Sequence, residues 1–105
     1  MEIKFNKKYL QELYEGGKTT EKKYRFQPQT VAQYQKTIAI LISVSRVEEL
    51  FRYYGLRYEV LHGDKEGMES VRVNNQYRIE FKTTQVVSET VVTICDIYEL
   101  SNHYK

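Results

Sequence analysis

The 105-residue sequence predicts an α+β domain: a small sheet with two or three helices packed on one face. Three observations lead there. Val31, Tyr34, Ile38, Leu41 and Ile42 recur at helical spacing and form one apolar stripe. After Gly55 the period changes to two, with Leu56, Tyr58 and Val60 alternating with Arg57 and Glu59. No repeat, low-complexity tract or Pro/Gly linker divides the chain, so residues 1–105 read as one domain.

Each element has a local reason. Glu2-Ile3-Lys4-Phe5 alternates and predicts a short strand. Asn6 can cap a helix over 7–15, in which Tyr9, Leu10, Leu13 and Tyr14 share a face and which Gly16-Gly17 stops. Residues 18–27 carry Lys18, Lys22, Lys23 and Arg25 and read as a solvated connection. Pro28 suits the first turn of the next helix. Ser45-Arg46-Val47-Glu48 has capping-box spacing, so another helix starts there, with Val47, Leu50, Phe51 and Tyr54 as its stripe. Gly55 fits the left-handed residue that ends it. His62 to Gly67 is a loop by composition. Strands near 68–73 and 77–82 flank Asn74-Asn75-Gln76, and Val91 to Tyr98, apolar on both faces except at Asp96, reads as a central strand. The tail from Ser101 is short and polar.

Composition excludes several classes. Hydrophobic residues at 41% and charged residues at 29% describe a globular chain, not a disordered one. A single cysteine, Cys95, rules out an internal disulfide framework, and with two histidines a structural zinc site is not expected. Cys95 lies inside the apolar strand and reads as packing. Nothing implies a metal or organic cofactor. Ile38 to Val44 is the longest apolar candidate, far short of the roughly 18 residues of a membrane span. The N-terminus has Lys4, Lys7 and Lys8 without the pattern of a signal peptide, so a reduced, cytoplasmic protein is the expectation.

Net charge is +2, unevenly spread. Residues 1–50 hold nine Lys/Arg against six Asp/Glu, and residues 51–105 hold seven against eight. This permits nucleic-acid contact without arguing for it. Ten tyrosines stand beside no tryptophan; packing is the first expectation for each, and a partly hydrophobic partner interface suits their number.

The hairpin register comes from burial. A two-residue loop would put Arg72 on the face of Tyr77, Ile79 and Phe81. A three-residue loop, Asn74 to Gln76, pairs Val73 with Tyr77, Arg72 with Arg78 and Val71 with Ile79, and keeps charge out of the core. Asn75 or Gln76 would then be left-handed. Arg72 and Arg78 become neighbours on the other face, where like charges repel. Either Glu80 or Glu69 compensates them, or the pair awaits an anion such as a phosphate.

At these residues the chain resembles HigB-type toxins of the RelE/ParE superfamily of bacterial toxin–antitoxin systems. The likeness lies in Gly63-Asp64-Lys65-Glu66-Gly67, then Ser70-Val71-Arg72-Val73-Asn74, then Tyr77-Arg78-Ile79, within residues 61–81. Val92 to Ile97 resembles the family's last strand, so the specific likeness spans about residues 55–98. The resemblance implies a RelE-like fold with a small mixed or antiparallel sheet and an active surface opposite the helices. It implies a ribosome-dependent mRNA endoribonuclease that inhibits translation. The 2′-hydroxyl attacks the adjacent phosphate, without a metal. It also implies a helix-turn-helix antitoxin of the HigA kind.

The resemblance assigns Arg78 to the scissile phosphate and Arg72 to support. His62 stands where related toxins often have lysine and could serve as general base or acid. Lys65 could touch the RNA backbone. Family members often end in Asp-Tyr-His; here Asp96-Ile97-Tyr98 continues to His103-Tyr104, so either Tyr98 or the His103-Tyr104 pair fills that place. Two alternatives stand beside the nuclease: a non-catalytic ParE-like inhibitor of DNA gyrase, and a degenerate toxin that only binds its antitoxin.

Overall fold

The N-terminal alternation becomes strand β1 (Glu2–Phe5), and the first apolar stripe becomes helix α1 (Lys8–Gly16), in a computed structural model that describes residues 1–102. Gly17 ends α1 at φ 74, a left-handed conformation that glycine adopts without steric cost, and its N–H donates to the Leu13 carbonyl. Helix α2 (Pro28–Ser43) starts on Pro28 as expected. Val31, Tyr34, Ile38 and Leu41 are buried, but Ile42, in the last turn of α2, is exposed.

The segment after α2 departs from expectation. Val47–Arg52 is a 3-10 helix, and Glu49 rather than Glu48 accepts the Ser45 N–H at 2.9 Å. A three-residue period turns Leu50 inward and leaves Phe51 and Tyr54 exposed. A second 3-10 turn, Tyr54–Leu56, contains Gly55, so Gly55 is not the left-handed residue. Arg57 is, at φ 44 and ψ 54, the only non-glycine with positive φ among the described residues. The two-residue period after Gly55 yields only strand β2 (Glu59–Val60).

Strands β3 (Glu69–Arg72), β4 (Tyr77–Val87) and β5 (Val91–Asn102) complete a five-stranded sheet in the order β1-β5-β4-β3-β2. The β1–β5 pair is parallel and the other pairs are antiparallel, so the sheet is mixed. β5 is interior, as expected, but it continues through Ser101 and Asn102, which are strand rather than polar tail. β4 likewise extends five residues beyond its expected end at 82, because β5 supplies partners as far as Val91.

The three-residue hairpin is present: Arg72 pairs with Arg78 and Val71 with Ile79, and the Val73 N–H donates to the Tyr77 carbonyl. Neither Asn75 nor Gln76 is left-handed. The Asn74 side chain makes the turn instead. Its Oδ1 accepts the N–H groups of Gln76 at 2.9 Å and Tyr77 at 2.8 Å, closing the loop as an Asx turn. Its Nδ2 donates to Gln33 Oε1 on α2, fixing the loop to the helical layer.

Val71, Ile79, Phe81, Cys95, Ile97 and Leu100 form the sheet side of the core, facing α1 and α2. Tyr34 Oη donates to the Leu10 carbonyl at 2.7 Å, and Tyr9 Oη accepts the Leu100 N–H at 3.2 Å, so two buried phenols tie helix to helix and helix to sheet. Tyr9 also stacks at 3.6 Å on Tyr24 of the 3-10 turn Lys22–Tyr24, and Phe26 packs edge-on to Tyr77; the 18–27 connection is therefore packed at its two aromatic residues. Among the described residues no helix is long and apolar enough to cross a membrane. Burial pushes the Cys95 thiol up to about 12, which suits packing rather than nucleophilic chemistry.

These anchors can be tested by their stability. Burial raises the Tyr9 phenol from 10.0 to about 12, against the opposing Leu100 hydrogen bond. The unfolded chain therefore loses that proton first: stability is intact below pH 10 and falls as pH rises towards 12. Urea midpoints should drop between about pH 9 and about pH 11.5, and drop less in Tyr9→Phe. Asn74→Ala should cost about 1–2 kcal/mol in the same assay, by uncapping two loop N–H groups.

Candidate functional site

The face opposite the helices carries charge in rows, because paired residues on neighbouring strands point the same way. Arg72, Arg78 and Ser101 form one row across β3, β4 and β5. Glu59, Ser70, Glu80 and Glu99 form the next, and Lys4, Asp96 and Lys82 a third. The basic row lies against an acidic one, which offsets the repulsion between Arg72 and Arg78.

Arg78 is the unusual member. It is 9% exposed, although it is a cation on the open face. Its Nε donates to Ser70 Oγ at 2.9 Å, one guanidinium NH2 donates to the Arg57 carbonyl at 2.7 Å, and Glu59 Oε1 lies 3.7 Å away. Burial lowers its pKa, Glu59 acts against that, and Arg72 and Arg57 add to the lowering. The guanidinium stays charged at any physiological pH. Glu80 and Glu69, the two expected counter-charges, are engaged elsewhere. Glu80 binds Lys65 Nζ, and Glu69 faces the helical layer, where it accepts Tyr58 Oη at 2.5 Å and the Thr83 N–H and hydroxyl. Arg72 donates to the Asn74 carbonyl and to Asn75 Oδ1.

Arg78 separates two open clefts. One, of about 380 Å³, is lined by His62, Lys65, Ser70, Glu80 and the strand end Ser101-Asn102. The other, of about 500 Å³, is lined by Arg57, Arg72, Asn74 and Asn75. Glu59 and Arg78 border both. His62 is exposed at the start of the 3-10 turn Gly63–Lys65, on the same cleft as Arg78. Lys65, on that turn, reaches Glu80 at 2.7 Å and forms the far wall. The structure thus brings Arg78, His62 and Lys65 together, and puts Arg72 on the neighbouring cleft.

Tyr98 lies elsewhere. Glu80 pairs with Glu99 but Phe81 pairs with Ile97, so Tyr98 is the extra residue of a β-bulge. It lines a third hollow with Lys7, Lys65 and Glu80, under Lys82 at 5.2 Å from its ring. The Lys65–Glu80 pair borders both this hollow and the cleft of His62. His103 and Tyr104 fall outside the described residues. Among the described residues no cluster of His, Cys, Asp and Glu could hold a metal ion.

Three partners of Arg78 were not among the expected site residues: Ser70, Glu59 and the Arg57 carbonyl. Ser70 was within reach, since alternation puts it on the face of Arg72. Glu59 depends on the β2–β3 pairing, and the Arg57 carbonyl on a backbone turn that no residue type announces. Chemically, a fixed guanidinium beside an imidazole and an ammonium group can hold an oxyanion while a proton moves.

Glu80 is 8% exposed and takes both Lys65 hydrogen bonds. Lys65→Met should therefore lower stability by about 1–3 kcal/mol in urea, by leaving a buried carboxylate unpaired.

Comparison with known proteins agrees with this architecture. The chain is 33% identical over 84 residues to Toxin HigB-1 of Vibrio cholerae, covering 78% of this chain and 83% of that protein. Its fold is similar to that of a YoeB/ParE toxin from Agrobacterium tumefaciens, with a TM-score of 0.54 at 19% identity, over 99% of this chain and 100% of that one. A family model described as the RelE-like toxin HigB of type II toxin–antitoxin systems matches residues 3–98. With a RelE-like sheet, a matching relative and a family match across nearly its whole length, the chain belongs to the HigB-like toxins of type II toxin–antitoxin systems.

Proposed function

We propose that this toxin is a ribosome-dependent endoribonuclease that cuts messenger RNA in the cytoplasm and so inhibits translation. The observation that carries this reading is the buried, doubly hydrogen-bonded Arg78 guanidinium on the cleft that His62 also lines. In the proposed reaction the 2′-hydroxyl loses its proton and attacks the adjacent phosphorus. The bond to the 5′-oxygen breaks, that oxygen takes a proton, and a 2′,3′-cyclic phosphate remains. Arg78 binds the non-bridging oxygens, whose charge grows in the transition state. His62 transfers one of the two protons. Tyr98, His103 and Tyr104 are the candidates for the other. Lys65 and Arg72 hold flanking backbone phosphates from the two clefts. A type II toxin has an antitoxin partner; we infer a helix-turn-helix protein of the HigA kind, expressed with it.

The test is primer-extension mapping of a defined mRNA in a purified translation system, with and without ribosomes. Wild-type toxin should cut only translated message, and Arg78→Ala should cut it at least about 100-fold more slowly. Unchanged cutting by folded Arg78→Ala would remove Arg78 from the reaction. No cutting by wild type, together with loss of gyrase supercoiling, would move the chain to the ParE-like reading. No effect in either assay would leave a degenerate toxin.

A further inference from the structure

We propose that Arg57 is a positioning residue for Arg78 through its backbone: the left-handed turn at Arg57 aims its carbonyl at the guanidinium and sets the angle at which Arg78 meets the phosphate. The inference rests on Arg78 acting on the phosphate, as proposed above.

The geometry is specific. Arg57 has φ 44 and ψ 54, a conformation arginine seldom takes, and glycine stands two residues earlier, where it does not relieve the strain. Outlying backbone of this kind persists only where its surroundings hold it. Here they hold it from the next residue. The Tyr58 ring packs edge-on to Phe51 and against Phe81, and its hydroxyl donates to Glu69, which in turn binds Thr83 of β4. Tyr58 is therefore pinned to the helical side of the sheet, while the Arg57 carbonyl points to the open side and accepts Arg78 at 2.7 Å. The turn converts an anchor on one face into a fixed acceptor on the other. Ser70 holds Nε, so the Arg57 carbonyl supplies the second point that stops the guanidinium rotating about that bond.

Substitutions that differ in left-handed preference separate the backbone from the side chain. Arg57→Gly and Arg57→Asn remove the guanidinium but accept the turn; Arg57→Val removes the guanidinium and resists it. Single-turnover cleavage is measured on ribosomes programmed with a defined mRNA, at saturating toxin, so that binding and chemistry separate. The Gly and Asn variants should cut at least about tenfold faster than Arg57→Val, with the difference in the limiting rate and not in the half-saturating concentration. Arg57→Ala should fall between, and serves if Arg57→Val does not fold. A readout independent of activity is the Arg78 Nη–H resonance, assigned by its loss in Arg78→Lys. It should stay slow to exchange in Arg57→Gly and become fast in Arg57→Ala or Arg57→Val.

Equal limiting rates in all folded Arg57 variants would overturn the proposal, and so would Gly and Asn variants as slow as Val. Either result is distinct from failure of the underlying reading, in which Arg78→Ala itself cuts like wild type.

Discussion

Everything on the open face depends on the phase of one hairpin. The Asn74 side chain closes the loop between β3 and β4, and the closure sets which residues lie opposite. A slip of one residue would carry Arg72 or Arg78 into the layer of Val71, Ile79 and Phe81. The carboxylate on that side, Glu69, is already taken by Tyr58 and Thr83. The apolar core and the polar site are thus two results of one constraint. The same asparagine reaches Gln33 of α2, so the helical layer also bears on the register.

Within that frame, Arg78 is held by dipoles more than by charge. A hydroxyl and a carbonyl take its N–H groups at hydrogen-bond distance, whereas the nearby Glu59 carboxylate sits at 3.7 Å and is half-exposed. A guanidinium clamped by a close bidentate acid would be neutralised and occupied. One held by neutral acceptors keeps its charge and some of its donors for a ligand. Glu80, which could have been such an acid, is taken by Lys65. Of the carboxylates near Arg78, Glu80 is committed to Lys65 and Glu69 to Tyr58 and Thr83, which leaves Glu59 as the ion-pair partner.

How much of this the sequence discloses depends on the range of the interactions. The α+β class, β1, both α-helices and the hairpin register rest on periodicity and on near neighbours, and they are legible. Arg78 is legible as a candidate, since it stands in a local motif. The 3-10 segment from Val47 is not, because a capping-box spacing does not specify which helix it starts. The left-handed residue is expected at Gly55 and found at Arg57, since packing of Tyr58 outweighs the local preference of glycine. β4 exceeds expectation because β5 partners it as far as Val91, and β5 because Tyr77 to Glu80 at the start of β4 pair with residues 99–102. Glu59 comes from a two-residue strand that only β3 makes possible.

The bulge at Tyr98 has a bearing on how such chains diverge. Upstream of it Cys95 and Ile97 face the helices; downstream Leu100 does, three positions on rather than two. One surplus residue thus works as a reading-frame change within the strand. A lineage that deleted Tyr98 would keep Leu100 and Ser101 on their present sides, whereas one that kept the residue but paired it regularly would send Ser101 to the opposite side, and a gap-free alignment between bulged and deleted strands equates side chains that never share a face. Residues after the bulge are comparable between relatives only when counted from the far end of the pairing with β4.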